Sequence, residues 1–229
     1  MSKSLTTKTA IFESFRTLLI ESQSGSVTVQ DLTTSCGISR KTFYYHFPDQ
    51  LTLMEWGFRQ GIAQRLRDQC AKESLVGPIR QMSDPFPDLP YYACSPSGVR
   101  SIDGANFFEI FTDYLEAYRT YYYKLLTGQS SANFVRYILS IYYYAFYRDV
   151  KFIVGGRSVG QETLVKFTRY FLHSSISSYL DEILYFNTPL TNCIPEETPN
   201  FHHDALRDAI DRYFSADEKR YRFPKLHSL

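Results

Sequence analysis

The chain has 229 residues, a formal net charge of +1, four cysteines, and aromatic side chains at 17% of positions. That length admits a small head plus one larger domain, and so even a charge balance excludes a protein that holds nucleic acid by bulk positive charge, leaving local placement to do it. Cys36, Cys70, Cys94 and Cys193 show no CxxC spacing, which argues against a compact zinc finger and a disulfide framework. The charged N-terminus has no signal-peptide core, no apolar stretch is long and charge-free enough to span a bilayer, and the expected location is the cytoplasm.

In chain order, Ile11, Phe15, Leu18 and Leu19 fall at i, i+4, i+7, i+8 and predict an amphipathic first helix. Thr28 precedes Val29, with Asp31 three residues on, a capping-box start for a second helix. Val29, Leu32 and Cys36 give it a buried stripe, and Gly37 ends it. Ser39 is a good N-cap for a third helix. Two helices about a short glycine-containing turn make a helix-turn-helix. Asp49 caps a fourth, longer helix running through Leu53, Trp56, Ile62 and Leu66, with Trp56 in a core role.

On a helical wheel the third helix buries Phe43 and Phe47, and Lys41 and Tyr45 point nearly opposite. Thr42 and Tyr44 lie on the flanks. Arg40 falls nearer the buried side, in the first turn, on a stem long enough to reach a base edge. Arg and Lys can donate to guanine O6 and N7 in the major groove, while hydroxyls and imidazole suit phosphate oxygens. Residues 1–70 hold eight Lys and Arg against six Asp and Glu. An amphipathic core helix with a solvated basic face is the competing reading; the turn and cap spacing favour DNA.

The stretch GISRKTFYYHFPDQLTL resembles the N-terminal pattern of the TetR family of bacterial transcription regulators, through Gly37, Ile38, Ser39, Thr42, Phe43, Tyr44, His46, Phe47 and Leu53. The resemblance covers roughly residues 8–70. It implies that Gln30, Arg40, Lys41 and Tyr44 face bases and that Thr28, Tyr45 and His46 hold phosphates; Ser39 and Thr42 complete the candidate contacts. It also implies a homodimer on a double-stranded DNA operator, with repression relieved by a small-molecule effector as the commoner habit. One departure stands out: the family usually has Lys or Arg where this chain has Gln50, which removes one phosphate contact.

Residues 82–106 carry Pro85, Pro87, Pro90, Pro96, Gly98 and Gly104 and predict a long irregular connection. Helical periodicity returns with Phe107, Phe108, Phe111, Tyr114, Leu115 and Tyr118, and breaks at Gly128. Further helices are predicted at about 131–153, ended by Gly155 and Gly156, at about 160–186, and at about 203–215. Pro189, Pro195 and Pro199 mark the intervening loop. No strand-period stretch competes. The expected fold is all-α: a three-helix DNA-binding head at 1–50, a connecting helix at 51–75, a regulatory and dimerisation bundle at 76–216, and a charged tail at 217–229. In the resembled family two C-terminal helices from each subunit form the dimer interface, for which 160–186 and 203–215 are the candidates here.

Tyr121, Tyr122, Tyr123, Tyr142, Tyr143, Tyr144 and Tyr147 cluster in two predicted helices. A pocket of such side chains, apolar with polar tips, could hold an aromatic or amphiphilic effector, with Tyr118, Tyr122, Tyr142 and Phe146 as candidates; core packing is the bland alternative. The RTYYYKLL and FVRYIL stretches resemble the DhaS-like subgroup of TetR proteins, in which some members respond to a protein co-regulator, so a co-regulator acting through a partner is the alternative function. His202, His203 and Asp204, with Cys193 or His173, could start a metal site, although paired histidines at a helix start are more often capping and solvated. No metal or cofactor is expected. The sequence has no P-loop, GxGxxG, nucleophile elbow or HExxH, and no catalysis is expected.

Overall fold

The computed structural model describes residues 3–78, 84–186, 188–193, 195 and 197–215. The predicted tail at 217–229 and the first two residues of the 82–106 connection lie outside them. Helices dominate: α1 (Lys3–Glu21), α2 (Val29–Cys36), α3 (Arg40–His46), α4 (Gln50–Gln69), α5 (Ala105–Ala117), α6 (Arg119–Thr127), α7 (Ser131–Val154), α8 (Gln161–Leu172), α9 (Ser178–Asp181) and α10 (Phe201–Ser215). The all-α fold class stands.

Most of the apolar spacing read from the sequence is the packing that holds α1 to α4, although Leu18, Val29 and Cys36 are half-buried and Phe12, outside that spacing, is buried. Ile11, Phe12, Phe15 and Leu19 of α1 are buried, as are Leu32, Phe43 and Phe47 of the helix-turn-helix. Trp56 of α4 closes this small core, edge-on to Phe12 at 6.1 Å and to Phe47 at 5.6 Å. α4 buries more than one stripe because α1, α5 and α7 all pack on it. Gly57 permits the closest approach: a Cβ there would stand 1.8 Å from the Phe12 ring.

The larger core is aromatic. Phe58 of α4 meets Phe111, Tyr122, Phe134 and Tyr142 at centroid distances of 6.1–6.5 Å, all edge-to-face. Arg59, one residue on, is fully buried. Its Nη1 donates to Asp84 Oδ2 at 2.8 Å and Tyr137 Oη at 3.2 Å, and its Nη2 to the carbonyls of Phe86 and Leu89. That hub ties α4 to the 84–91 strap and to α7.

Four short strands depart from the sequence reading: β1 (Leu75–Val76), β2 (Tyr92–Ala93), β3 (Ser95–Gly98) and β4 (Ser101–Asp103). β1 pairs antiparallel with β2, and β3 with β4. Two to four residues are too few to display a period-2 pattern, so the proline-rich connection closes on itself without announcing it. Two more differences concern helices. The first predicted body helix is two, broken at Tyr118, although apolar spacing continues through the break. The predicted 160–186 helix widens into π turns at His173–Ser177 and Glu182–Phe186. In the first, Ser175 and Ser178 hydroxyls donate back to the carbonyls of Phe171 and Ser175, each at 2.6 Å, competing with the α-helical ladder.

The histidine pair is not solvated. His202 and His203 are buried. Tyr92 Oη donates to Asp149 Oδ2 at 2.6 Å, and His203 Nε2 lies 3.1 Å from the same oxygen and 3.0 Å from Tyr92 Oη, joining β2, α7 and α10. His202 pairs with Tyr179. Burial, with His203 adjacent, pushes the His202 pKa down to about 4, so that ring is neutral at pH 7. Among the described residues no group of three or more His, Cys, Asp or Glu is placed to hold a metal ion.

Candidate nucleic-acid interface

The helix-turn-helix is built by its caps. Thr28 Oγ1 accepts from the Asp31 amide at 3.1 Å, and Asp31 Oδ2 accepts from the Thr28 amide at 2.8 Å and the Thr28 hydroxyl at 2.7 Å. Those bonds, the side-chain one first, hold the Asp31 carboxyl below its ordinary pKa. Gly37 closes α2 in the left-handed conformation, φ 62° and ψ 33°, where an L side chain is strained. Ser39 caps α3, accepting from the Thr42 amide at 3.1 Å, and its hydroxyl pairs with that of Thr42 at 2.9 Å.

α3 is seven residues long and shows two chemistries. Phe43 and Phe47 are buried, Phe47 one residue past the helix in extended backbone. On the other side Lys41, Tyr44 and Tyr45 are exposed, Tyr45 at 82% and Tyr44 at 54%. Tyr44 braces edge-on against Phe43, and Tyr45 against the His46 ring at 5.0 Å. Arg40, which the wheel set nearer the core, is exposed; its Nε donates to Gln30 Oε1 of α2 at 3.2 Å. Gln30 Nε2 donates in turn to Thr34 Oγ1 at 3.2 Å.

Of the candidate contacts, Gln30, Ser39, Arg40, Lys41, Tyr44 and Tyr45 are therefore exposed on the helix-turn-helix, with Thr42 and His46 half-buried beside them. Thr28 is exposed, but its single hydroxyl proton is engaged by Asp31. Burial first, and the Lys8 ammonium second, hold the His46 imidazole below its ordinary pKa. Lys8 itself sits over the Phe47 ring at 5.5 Å. Sequence reasoning missed Lys8, since nothing local says that α1 delivers it to the end of α3. Gln50 has a job of its own: Nε2 donates to the Val27 carbonyl at 2.8 Å, tying the start of α4 to the entry of α2.

The effector candidates lie elsewhere and do not converge on a cavity. Tyr122, Tyr142 and Phe146 have no accessible surface, so they border no void wide enough for water. They pack ring against ring with Phe58, Phe107 and Phe134. Tyr118 is half-buried under the Arg16 guanidinium at 4.7 Å and lines a cleft of about 90 Å³ between α1, α4 and α5. Core packing, the bland alternative for the tyrosines, describes the three buried side chains in this conformation.

The solved structure of the dihydroxyacetone kinase operon activator DhaS superposes with a TM-score of 0.50 at 16% identity, covering 90% of this chain and 96% of that one. The chain shares the fold of that all-α structure. Over 68 residues it is 31% identical to the HTH-type dhaKLM operon transcriptional activator DhaS of Lactococcus lactis subsp. lactis (strain IL1403). That match spans 30% of this chain and 36% of the relative. The structure of a TetR family transcriptional regulator from Chloroflexus aurantiacus J-10-FL superposes at a TM-score of only 0.35, with 16% identity over 91% of this chain and 90% of that one, too loosely to bear on the fold. No family model matches. Among the described residues, no helix is long and apolar enough to cross a membrane.

Proposed function

We propose that this protein is a non-catalytic, sequence-specific DNA-binding regulator of transcription that works in the cytoplasm. In this reading residues 1–50 are the DNA head, 51–75 the connecting helix and 76–216 the regulatory and dimerisation domain. One observation carries it: a seven-residue helix, capped at its start, buries Phe43 and leaves Lys41, Tyr44 and Tyr45 facing solvent beside Arg40. A face of cationic and phenolic tips with its apolar side locked down suits the major groove better than a protein core. A homodimer through the 160–186 and 203–215 segments would set two such helices about 34 Å apart on a two-fold operator.

Repression relieved by a small effector is the proposed form of control. The Tyr142 hydroxyl supports an effector: it is buried with no hydrogen-bond partner among the described residues, a state that costs about 1–3 kcal/mol. A ligand that satisfied it would have to part the helices around it, and would act only by preferring that opened form. The name of the matched relative, an operon activator, favours the opposite sign of regulation, and a promoter–reporter assay with and without the protein decides between them.

The test of the DNA reading is enrichment from random duplexes at low salt, followed by gel shift on the enriched sequence. Binding untouched by Arg40→Ala combined with Tyr44→Ala would overturn the head placement. The second reading, a co-regulator acting through a protein partner, is favoured by Gln50, whose amide is spent on Val27 where the resembled family offers a cation to phosphate. It gains if the purified protein enriches no duplex.

A further inference from the structure

We propose that Gln30 is a positioning residue: it sets the direction from which the Arg40 guanidinium meets a base. The proposal rests on the DNA-binding reading and sharpens it, because the resemblance alone puts Gln30 and Arg40 side by side as independent readers.

A glutamine reads adenine with both ends of its amide, accepting from N6 and donating to N7. Here each end already holds one partner, which turns the amide toward Arg40 and Thr34 and leaves it one lone pair and one N–H. Oε1 accepts from Arg40 Nε, and Nε2 donates to Thr34 Oγ1, each at 3.2 Å. The assignment of the two ends is fixed by chemistry: an arginine only donates, so the group facing it must be the carbonyl oxygen. Thr34 is one helical turn along α2 from Gln30, so the amide is held on its own helix and reaches across to the first residue of α3.

The bond falls on Nε and leaves the far edge of the guanidinium open. Among the described residues nothing engages Arg40 Nη1 or Nη2. Those two parallel donors are the pair that matches guanine O6 and N7. An exposed arginine without such a brace spreads over many rotamers. Braced through Nε, it presents one edge in one direction, so Gln30 contributes to base preference through Arg40.

The experiment selects duplexes from a random pool with the full-length wild type, Gln30→Ala, Arg40→Ala, the double variant and Gln30→Glu, all at one salt concentration. Arg40→Ala is expected to lose preference at one base pair per half-site by about tenfold or more. Gln30→Ala is expected to weaken preference at that same base pair and at no other. The double variant should match Arg40→Ala alone, since the brace has nothing left to hold. Gln30→Glu keeps the acceptor, so it should keep the preference while its charge lowers affinity evenly across sequences. A purely structural loss would weaken all sites alike and leave the preference profile unmoved. Loss of preference at a different base pair in Gln30→Ala, or additive losses in the double variant, would overturn the positioning role while DNA binding stood. A wild-type protein that enriches no sequence would instead overturn the DNA reading beneath it.

Discussion

Replacing Asp84 with alanine strands a fully buried cation. Arg59 is fully buried and Asp84 has a side-chain exposure of 9%. The substitution removes the carboxylate 2.8 Å from Nη1 and also the Oδ1 acceptor 2.7 Å from the Phe86 amide. An uncompensated buried charge costs about 3–5 kcal/mol; the carbonyls of Phe86 and Leu89 remain, which places this case at the low end, near 3. The lost Phe86 bond adds about 1 kcal/mol. The expected loss is about 4 kcal/mol, a large fraction of the roughly 5–15 kcal/mol of a folded domain. Urea unfolding followed by the fluorescence of Trp56, the sole tryptophan and 4% exposed, measures it. Arg59→Met added to Asp84→Ala removes the stranded charge and is expected to recover much of the loss. Asp84→Ala within about 1 kcal/mol of wild type, or a double variant no more stable than the single, would show that the ion pair does not hold the strap to α4.

Glu55 gives a pH prediction from the same region. Burial first, then Asp49 and Asp84, push its carboxyl from 4.5 up to about 7. A group that binds its proton more tightly when folded lends stability that is complete below pH 4.5 and gone as pH rises through about 7. The stability difference between wild type and Glu55→Gln should therefore shift against the wild type across that window, and a flat difference curve would remove the cause. Gly37→Ala meets no atom within 4 Å, so its cost is backbone strain alone, about 1–2 kcal/mol, read as a shifted urea midpoint. Lys41→Met should lower operator affinity and relax preference at one base pair by about tenfold, read by duplex selection; an unmoved preference profile would place Lys41 off the base edges.

The head was legible because its signals are local. A hydroxyl at Thr28, a carboxylate at Asp31, a glycine at Gly37 and a hydroxyl at Ser39 act on backbone within four residues of themselves. The alternation of Phe43 and Phe47 with Lys41 and Tyr45 follows from helical geometry, so burial could be read from spacing. The body gave up its helices on the same terms and little else. The break at Tyr118 stands beside contacts made far along the chain, where Arg119 bonds to the carbonyls of Glu182 and Thr188, while the π turn at His173–Ser177 and the β3–β4 pair are local but too short to leave a pattern. The tyrosines show the limit best: Tyr122 and Tyr123 are neighbours of identical chemistry, one with no exposure and the other at 46%.

By itself, then, the order of residues determined which segments coil, where the capped helices of the head start and stop, and which side of each is apolar, because those choices are settled over one or two turns of backbone. Only tertiary structure decided that Gln30 braces Arg40, that Gln50 spends its amide on Val27, that Arg59 is sealed among Asp84, Tyr137 and the strap, and that His203 shares Asp149 with Tyr92. The physical reason is reach. A hydrogen bond or an ion pair acts over a few ångströms of space, and chain positions far apart come within that distance only after the helices have packed.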